Sequence, residues 1–153
     1  MKTAGADNAG SSGYYGLLGL VVLVVWIGMI SSQSFWTDEI TTAHLASQPT
    51  WTGFVRELEQ TGSEMLMPLF SVYAWLWVRI WGISELSLRL MNLPWAFLAV
   101  ASGISLFRLY RLRPEAILLF LAPFLASFAN EARPYLMTLA CALLALVCLE
   151  ALL

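Results

Sequence analysis

Residues Tyr14 to Ile30 read YYGLLGLVVLVVWIGMI, a continuous apolar run with Tyr14, Tyr15 and Trp26 near its ends. Ser32-Gln33-Ser34 follows with small residues at the spacing of a signal-peptidase site. The apolar core is too long for the hydrophobic region of a secretory signal, and further apolar runs follow it, so the stretch reads as an uncleaved first membrane span. Ahead of it, Met1 to Gly13 is small and polar with Lys2 as its one cation, and is expected to be a disordered cytoplasmic tail.

The rest of the chain keeps the same character. Hydrophobic residues make up 59% of the 153 residues and charged residues 12%. Mean hydropathy is +0.74. A soluble domain carries about twice that charge fraction. Further apolar runs cover 66–81, 90–107, 116–129 and 136–153, so an all-α polytopic membrane protein is expected. Net charge is −2 and the basic residues are scattered, with no basic face for nucleic acid. Cys141 and Cys148 lie seven apart inside the last run and read as buried small apolar residues. That run reaches Leu153 without a cap or closing loop, so the expectation is a fragment or N-terminal part of a longer protein.

Parity decides which runs cross. If all of them do, the densest basic cluster, Arg108 to Arg113, falls on the same side as the acidic loop after the first span, against the positive-inside rule. One non-crossing segment repairs this. The run 66–81 is the candidate, because it is short, carries Pro68 and Arg79, and holds Trp75, Trp77 and Trp81, which suit the headgroup layer. Residues 31–89 then form an external loop of juxtamembrane helices, and Arg108 to Arg113 lies in the cytoplasm. The alternative in which 66–81 also spans stays open.

In the first part of that loop, Ser31 to Glu64, Asp38, Glu39, Glu57, Glu59 and Glu64 stand against a single Arg56. Thr37 is placed to cap a short helix with Asp38-Glu39 in its first turn. Trp51, Phe54, Val55 and Leu58 recur at helical spacing with Arg56, Glu57, Glu59 and Gln60 opposite, which predicts an amphipathic helix on the membrane surface ending at Gly62.

Three groups have residue types suited to chemistry. Carboxylates in a helix's first turn are favoured by the macrodipole, which is reason enough for Asp38-Glu39. Paired acids beside a span also serve as a general base for an attacking hydroxyl, or as a ligand for a divalent metal against a phosphate leaving group. Asn130-Glu131-Ala132-Arg133-Pro134-Tyr135 reads equally as an interfacial turn, with Tyr135 in the aromatic belt, or as a phosphate site with Arg133 as bidentate partner and Glu131 as a second acid. Arg89, with Asn92 and Pro94, reads first as an arginine snorkelling at the membrane edge. His44 and Arg79 carry weaker signals.

The order of these pieces resembles the N-terminal part of the GT-C membrane glycosyltransferases. It runs from the apolar first span through Asp38-Glu39, then Gly62 to Phe70 with its Pro-Leu-aromatic step. Trp81-Gly82-Ile83-Ser84-Glu85-Leu86-Ser87-Leu88-Arg89-Leu90 and Asn130 to Tyr135 complete it. The branch it is most similar to is the dolichyl-phosphate-mannose protein mannosyltransferase-like group, including the RgtA/B/C/D-like enzymes and the aminoarabinose transferases of lipid A. The resemblance extends from Tyr14 to the end of the chain.

It implies the N-terminal part of a GT-C transmembrane bundle in the cell inner membrane, multi-pass, with its active site facing the periplasm or exterior. The activity implied is transfer of a sugar from a polyprenyl-phosphate donor to a lipid, glycan or protein acceptor. Asp38 would be catalytic base or metal ligand (Mg or Mn), with Glu39 beside it. Arg89, Glu131, Arg133 and Tyr135 would serve the donor phosphate. Where family members often read His-Pro-Pro or Lys-Pro-Pro, this chain reads Leu66-Met67-Pro68, so no basic contact to phosphate is carried over there. Two other readings stay open from the residues alone. One is a transporter or channel segment, which would place ionisable groups inside its spans, where Glu150 is the single example. The other is a non-catalytic assembly subunit.

Overall fold

The computed structural model describes the backbone of residues 6–31, 35–62 and 64–153, and the side chains of 13–31, 35–62, 64–123, 125 and 127–153. Among these residues it is all-helical, with no strand. The Ser32-Gln33-Ser34 site and residues 1–5 of the expected tail lie outside the described residues. The remainder of that tail is corrected: helix α1, Ala6–Met29, begins well before Tyr14. No proline interrupts this stretch, so a helix nucleated by the apolar run propagates back through it despite Gly10 and Gly13.

Two helical stretches are long and apolar enough to cross a membrane, Glu85–Leu109 and Tyr135–Leu152, while the apolar part of α1, Gly13–Met29, is shorter. The first stretch comprises a short helix followed by Leu93–Leu109, described below as α5 and α6. Leu93–Leu109 packs along Tyr135–Leu152, and α1 lies against Leu93–Leu109 and the chain from Pro114 to Ala129. Their shared core includes Val22, Trp26, Ala99, Ile117, Phe120 and Leu136.

Close approach here depends on small residues. A Cβ on Gly103 would stand 2.7 Å from Phe120 Cζ, and one on Gly19 would stand 2.8 Å from Ile104 Cδ1. Lipid tails are as apolar as leucine, so helices in a bilayer are held by such fit and by hydrogen bonds rather than by hydrophobic transfer.

The expected continuous span 116–129 is corrected to two pieces, a 3-10 segment Pro114–Leu121 and an α-helix Pro123–Ala129. Pro123 has no N–H to give and disfavours helical geometry in the residue before it, so Ala122 adopts φ −52, ψ 136. Neighbours absorb the break. Ala122 N–H bonds Leu119 O at 3.0 Å. Trp26, buried rather than at an interface, donates its indole N–H to Phe120 O at 3.1 Å.

The four short helices of the 31–92 segment form a cap on one end of this bundle: α2, Thr37–Ala46; α3, Trp51–Gln60; α4, Pro68–Trp81; and α5, Glu85–Leu90. In chain order the bundle then supplies α6, Leu93–Leu109; α7, Pro123–Ala129; and α8, Tyr135–Leu152. Thr50 Oγ1 caps α3 by accepting from Gly53 N–H at 3.1 Å, and Ser84 Oγ caps α5 by accepting from Ser87 N–H at 3.0 Å. Gly82, at φ +76, ends α4 in a conformation L side chains avoid. The cap of α2 falls one residue before Thr37, at Trp36, whose N–H donates to Glu39 Oε2 at 3.0 Å.

α4 packs on α2, α3 and α5. On the apolar face of α3, Phe54 and Leu58 are buried against Trp75 of α4, while Trp51 stays 52% exposed. Cys141 and Cys148, expected in a core, are exposed, because α8 turns Leu136 and Ala140 inward instead.

Hydrogen bonds fix the two ends. At one, Tyr15 hydroxyl bonds Leu112 O and Tyr110 hydroxyl bonds Glu150 carboxylate. At the other, Ser31 N–H donates to Asn130 Oδ1 at 2.9 Å and Asn92 Nδ2 to Glu131 O at 2.5 Å. The 31–92 segment therefore leaves and rejoins the bundle at the same end.

Candidate functional site

Where cap meets bundle, two buried ion pairs face each other across a turn. Glu39 sits in the first turn of α2, and both it and Arg89 of α5 are 1% exposed. Arg89 donates from Nη2 to Glu39 Oε2 at 2.8 Å and from Nε to Oε1 at 3.2 Å. The same carboxylate accepts from Ala132 N–H at 2.8 Å as well as from Trp36 N–H. Arg89 Nη1 continues to Ser31 O at 2.8 Å.

One ion pair thus ties together the end of α1, the start of α2, α5 and the turn before α8. Burial alone would raise the Glu39 carboxyl, but the Arg89 bond and the two backbone N–H bonds outweigh it and hold it below its ordinary value.

The second pair joins Glu64, in the 3-10 turn Glu64–Leu66, to Arg133, with Nη1 2.5 Å from Glu64 Oε1. Arg133 Nη1 also reaches Asp38 O at 3.4 Å. Glu64 Oε2 and Arg133 Nε are buried with no hydrogen-bond partner. Burial works against the Arg133 charge, yet the Glu64 carboxylate and the Tyr135 hydroxyl beside it leave its pKa raised. Glu131 is pushed up, first by burial and then by the charges of Glu39 and Asp38, with Arg133 opposing.

A cavity of about 310 Å³ opens over this corner, lined by Trp36, Asp38, Glu39, Glu131 and Arg133. Trp36 is 72% exposed at its mouth. Four of the six residues singled out from the sequence therefore share one cavity. Arg89 stands behind Glu39, bound into the protein. The Tyr135 ring lies tilted against Phe128 with centroids 4.6 Å apart.

Glu64 is the residue the sequence reading passed over. Its signal was arithmetic: the acidic loop has a surplus of carboxylates over Arg56, so cations had to come from elsewhere, and Arg89 and Arg133 supply them. His44 takes a third acid, Glu57, at 3.3 Å on the surface.

Beside the Glu64–Arg133 pair runs an apolar groove of about 570 Å³, lined by Leu66, Met67, Phe70, Pro134, Met137 and Cys141 among others. Arg133 lines the polar cavity and its chain neighbour Pro134 lines the apolar groove. Among the described residues no group of three His, Cys, Asp or Glu side chains gathers as a metal cage. Asp38 and Glu131 are the carboxylates of the cavity not already bound to an arginine, and magnesium is commonly held by one or two carboxylates plus substrate phosphate oxygens. That donor set fits such an ion only with a phosphate present. No family model, curated protein or solved structure matches the chain.

Proposed function

We propose that this chain is the front part of a GT-C-type membrane glycosyltransferase. It would move a sugar from a polyprenyl-phosphate donor to an acceptor hydroxyl on a lipid, glycan or protein. The observation that carries the reading is the cavity where Asp38 and Arg133 meet beside an apolar groove. A base, a phosphate partner and a place for a lipid tail stand side by side.

On this reading α1, α6, the Pro114–Ala129 stretch and α8 cross the inner membrane. The cap containing α4 lies outside, at the periplasmic face, and Arg108 to Arg113 lies in the cytoplasm. Support comes from the segment 31–92 leaving and rejoining one end of the bundle. The leucine-rich exposed faces of α1 and α8 also suit lipid, since soluble proteins rarely expose so much contiguous apolar surface.

Asp38 takes the proton from the acceptor hydroxyl as its oxygen attacks the anomeric carbon. The bond from that carbon to the phosphate oxygen breaks, and the polyprenyl phosphate leaves with the electron pair. Arg133 meets the charge that develops on it. Arg89 is assigned to holding Glu39 in place rather than to phosphate, because its donors are already engaged. In the alternative role of Asp38 as ligand, a divalent cation, magnesium or manganese, would be held by Asp38 and Glu131 together with the donor phosphate and would neutralise charge there. Glu150, the ionisable residue inside the last apolar run, is bonded to Tyr110 at the far end of the bundle.

The deciding experiment replaces Asp38 by Asn in the protein in native membranes. Transfer from a polyprenyl-phosphate sugar should fall by about 10²- to 10⁴-fold, the usual contribution of a general base, with the amount of folded protein unchanged. Near-normal transfer sinks the assignment.

A further inference from the structure

We infer that Glu64 is a positioning residue for the donor phosphate, holding Arg133 at the wall between the polar cavity and the apolar groove. The inference rests on the transferase reading. Glu64 is fully buried, lies two residues before the groove residue Leu66, and touches Arg133 through one oxygen at 2.5 Å. The pair is unsaturated on both sides, with Glu64 Oε2 and Arg133 Nε unpartnered although buried. A purely structural pair in this position would be expected to close into the two-bond fork that arginine and carboxylate favour, as Glu39 and Arg89 have done.

Arg133 is instead held to Glu64 through Nη1 alone, with its Nε unbonded, while its side chain lines the cavity an anion would enter. Its side chain is already ordered by Glu64, so binding does not bear that ordering cost again. The residue that recognises phosphate is Arg133; Glu64 acts through it.

The test measures retention of radiolabelled polyprenyl phosphate, and of the matching uncharged polyprenol, by the full chain in detergent. Glu64→Ala should weaken phosphate binding about tenfold and leave polyprenol binding unchanged. Glu64→Gln keeps an acceptor oxygen for Arg133 and should bind at least as well as the original. In an Arg133→Ala background, adding Glu64→Ala should change nothing further. In transfer assays the loss should appear in donor KM, with acceptor KM unmoved. Where Glu64→Ala does not accumulate, Glu64→Asp, whose carboxylate is drawn back by one methylene, carries the same comparison.

Unchanged phosphate binding by Glu64→Ala, equal losses in the Gln and Ala variants, or an undiminished effect without Arg133 each overturn the positioning role while leaving the transferase reading intact. An original protein that holds polyprenol as tightly as its phosphate overturns the donor reading, and this inference with it.

Discussion

Two arginines meet two buried glutamates in one corner of this molecule, and the pairs are built differently. Glu39 receives four N–H bonds, two from Arg89 and one each from Trp36 and Ala132, and with the Arg89 bond to Ser31 O the pair joins four segments of chain. Glu64 receives one bond from Arg133, and each partner retains a buried atom with nothing bonded to it. Taking two charges out of water is costly in both places. In the first, the cost is offset by complete hydrogen bonding and yields a fixed junction between cap and bundle. In the second, the offset is partial: one donor of Arg133 stays unbonded on a side chain that lines a cavity. A fully bonded buried pair holds a fold; a half-bonded one beside a cavity is equipped to bind something.

The contrast has measurable consequences. Glu39→Ala leaves Arg89 buried without its counter-charge and should cost about 3–5 kcal/mol, read as a large fall in melting temperature in detergent. Glu64→Ala removes a single bond, and Arg133 can turn to the cavity, so its cost should be smaller, about 1–3 kcal/mol. Equal losses for the two would erase the distinction. Away from both pairs, Gly103→Val drives a side chain into Phe120. It should lower stability by about 1–3 kcal/mol without touching phosphate-lipid binding.

Acid gives the subtlest readout. A glutamate whose folded pKa is lowered contributes stability above its unfolded value and loses it as pH falls through the folded one. Melting temperature should therefore drop below the ordinary glutamate range, and Glu39→Gln should flatten that limb. Glu131, raised in the fold, has the opposite sign: it favours the fold at acid pH and loses that contribution as pH rises past its folded pKa, partly offsetting Glu39.

Much of this corner was legible in the sequence, though not its wiring. Asp38, Glu39, Glu131 and Arg133 could be singled out because charge is conspicuous in so apolar a chain, and they do share a cavity. The partners could not be read. Arg89 and Glu39 are 50 positions apart, and Arg133 and Glu64 are 69 apart, so no helical spacing relates them. For the same reason the packing of Phe54 on Trp75 could not be read from the apolar face of α3. Periodicity tells which face of a helix is apolar; what covers that face is decided by the rest of the chain.

The proline break at Ala122 also bears on reach. A 3-10 helix advances about 2.0 Å per residue against about 1.5 Å in an α-helix. The eight residues of Pro114–Leu121 therefore cover about 16 Å, and the seven of α7 about 10 Å more. Together they match the run of about 27 Å made by the 18 residues of α8. Wound more tightly, a stretch of fewer residues has about the contour length of its neighbour, and the turn that follows it delivers Ala132 N–H to Glu39.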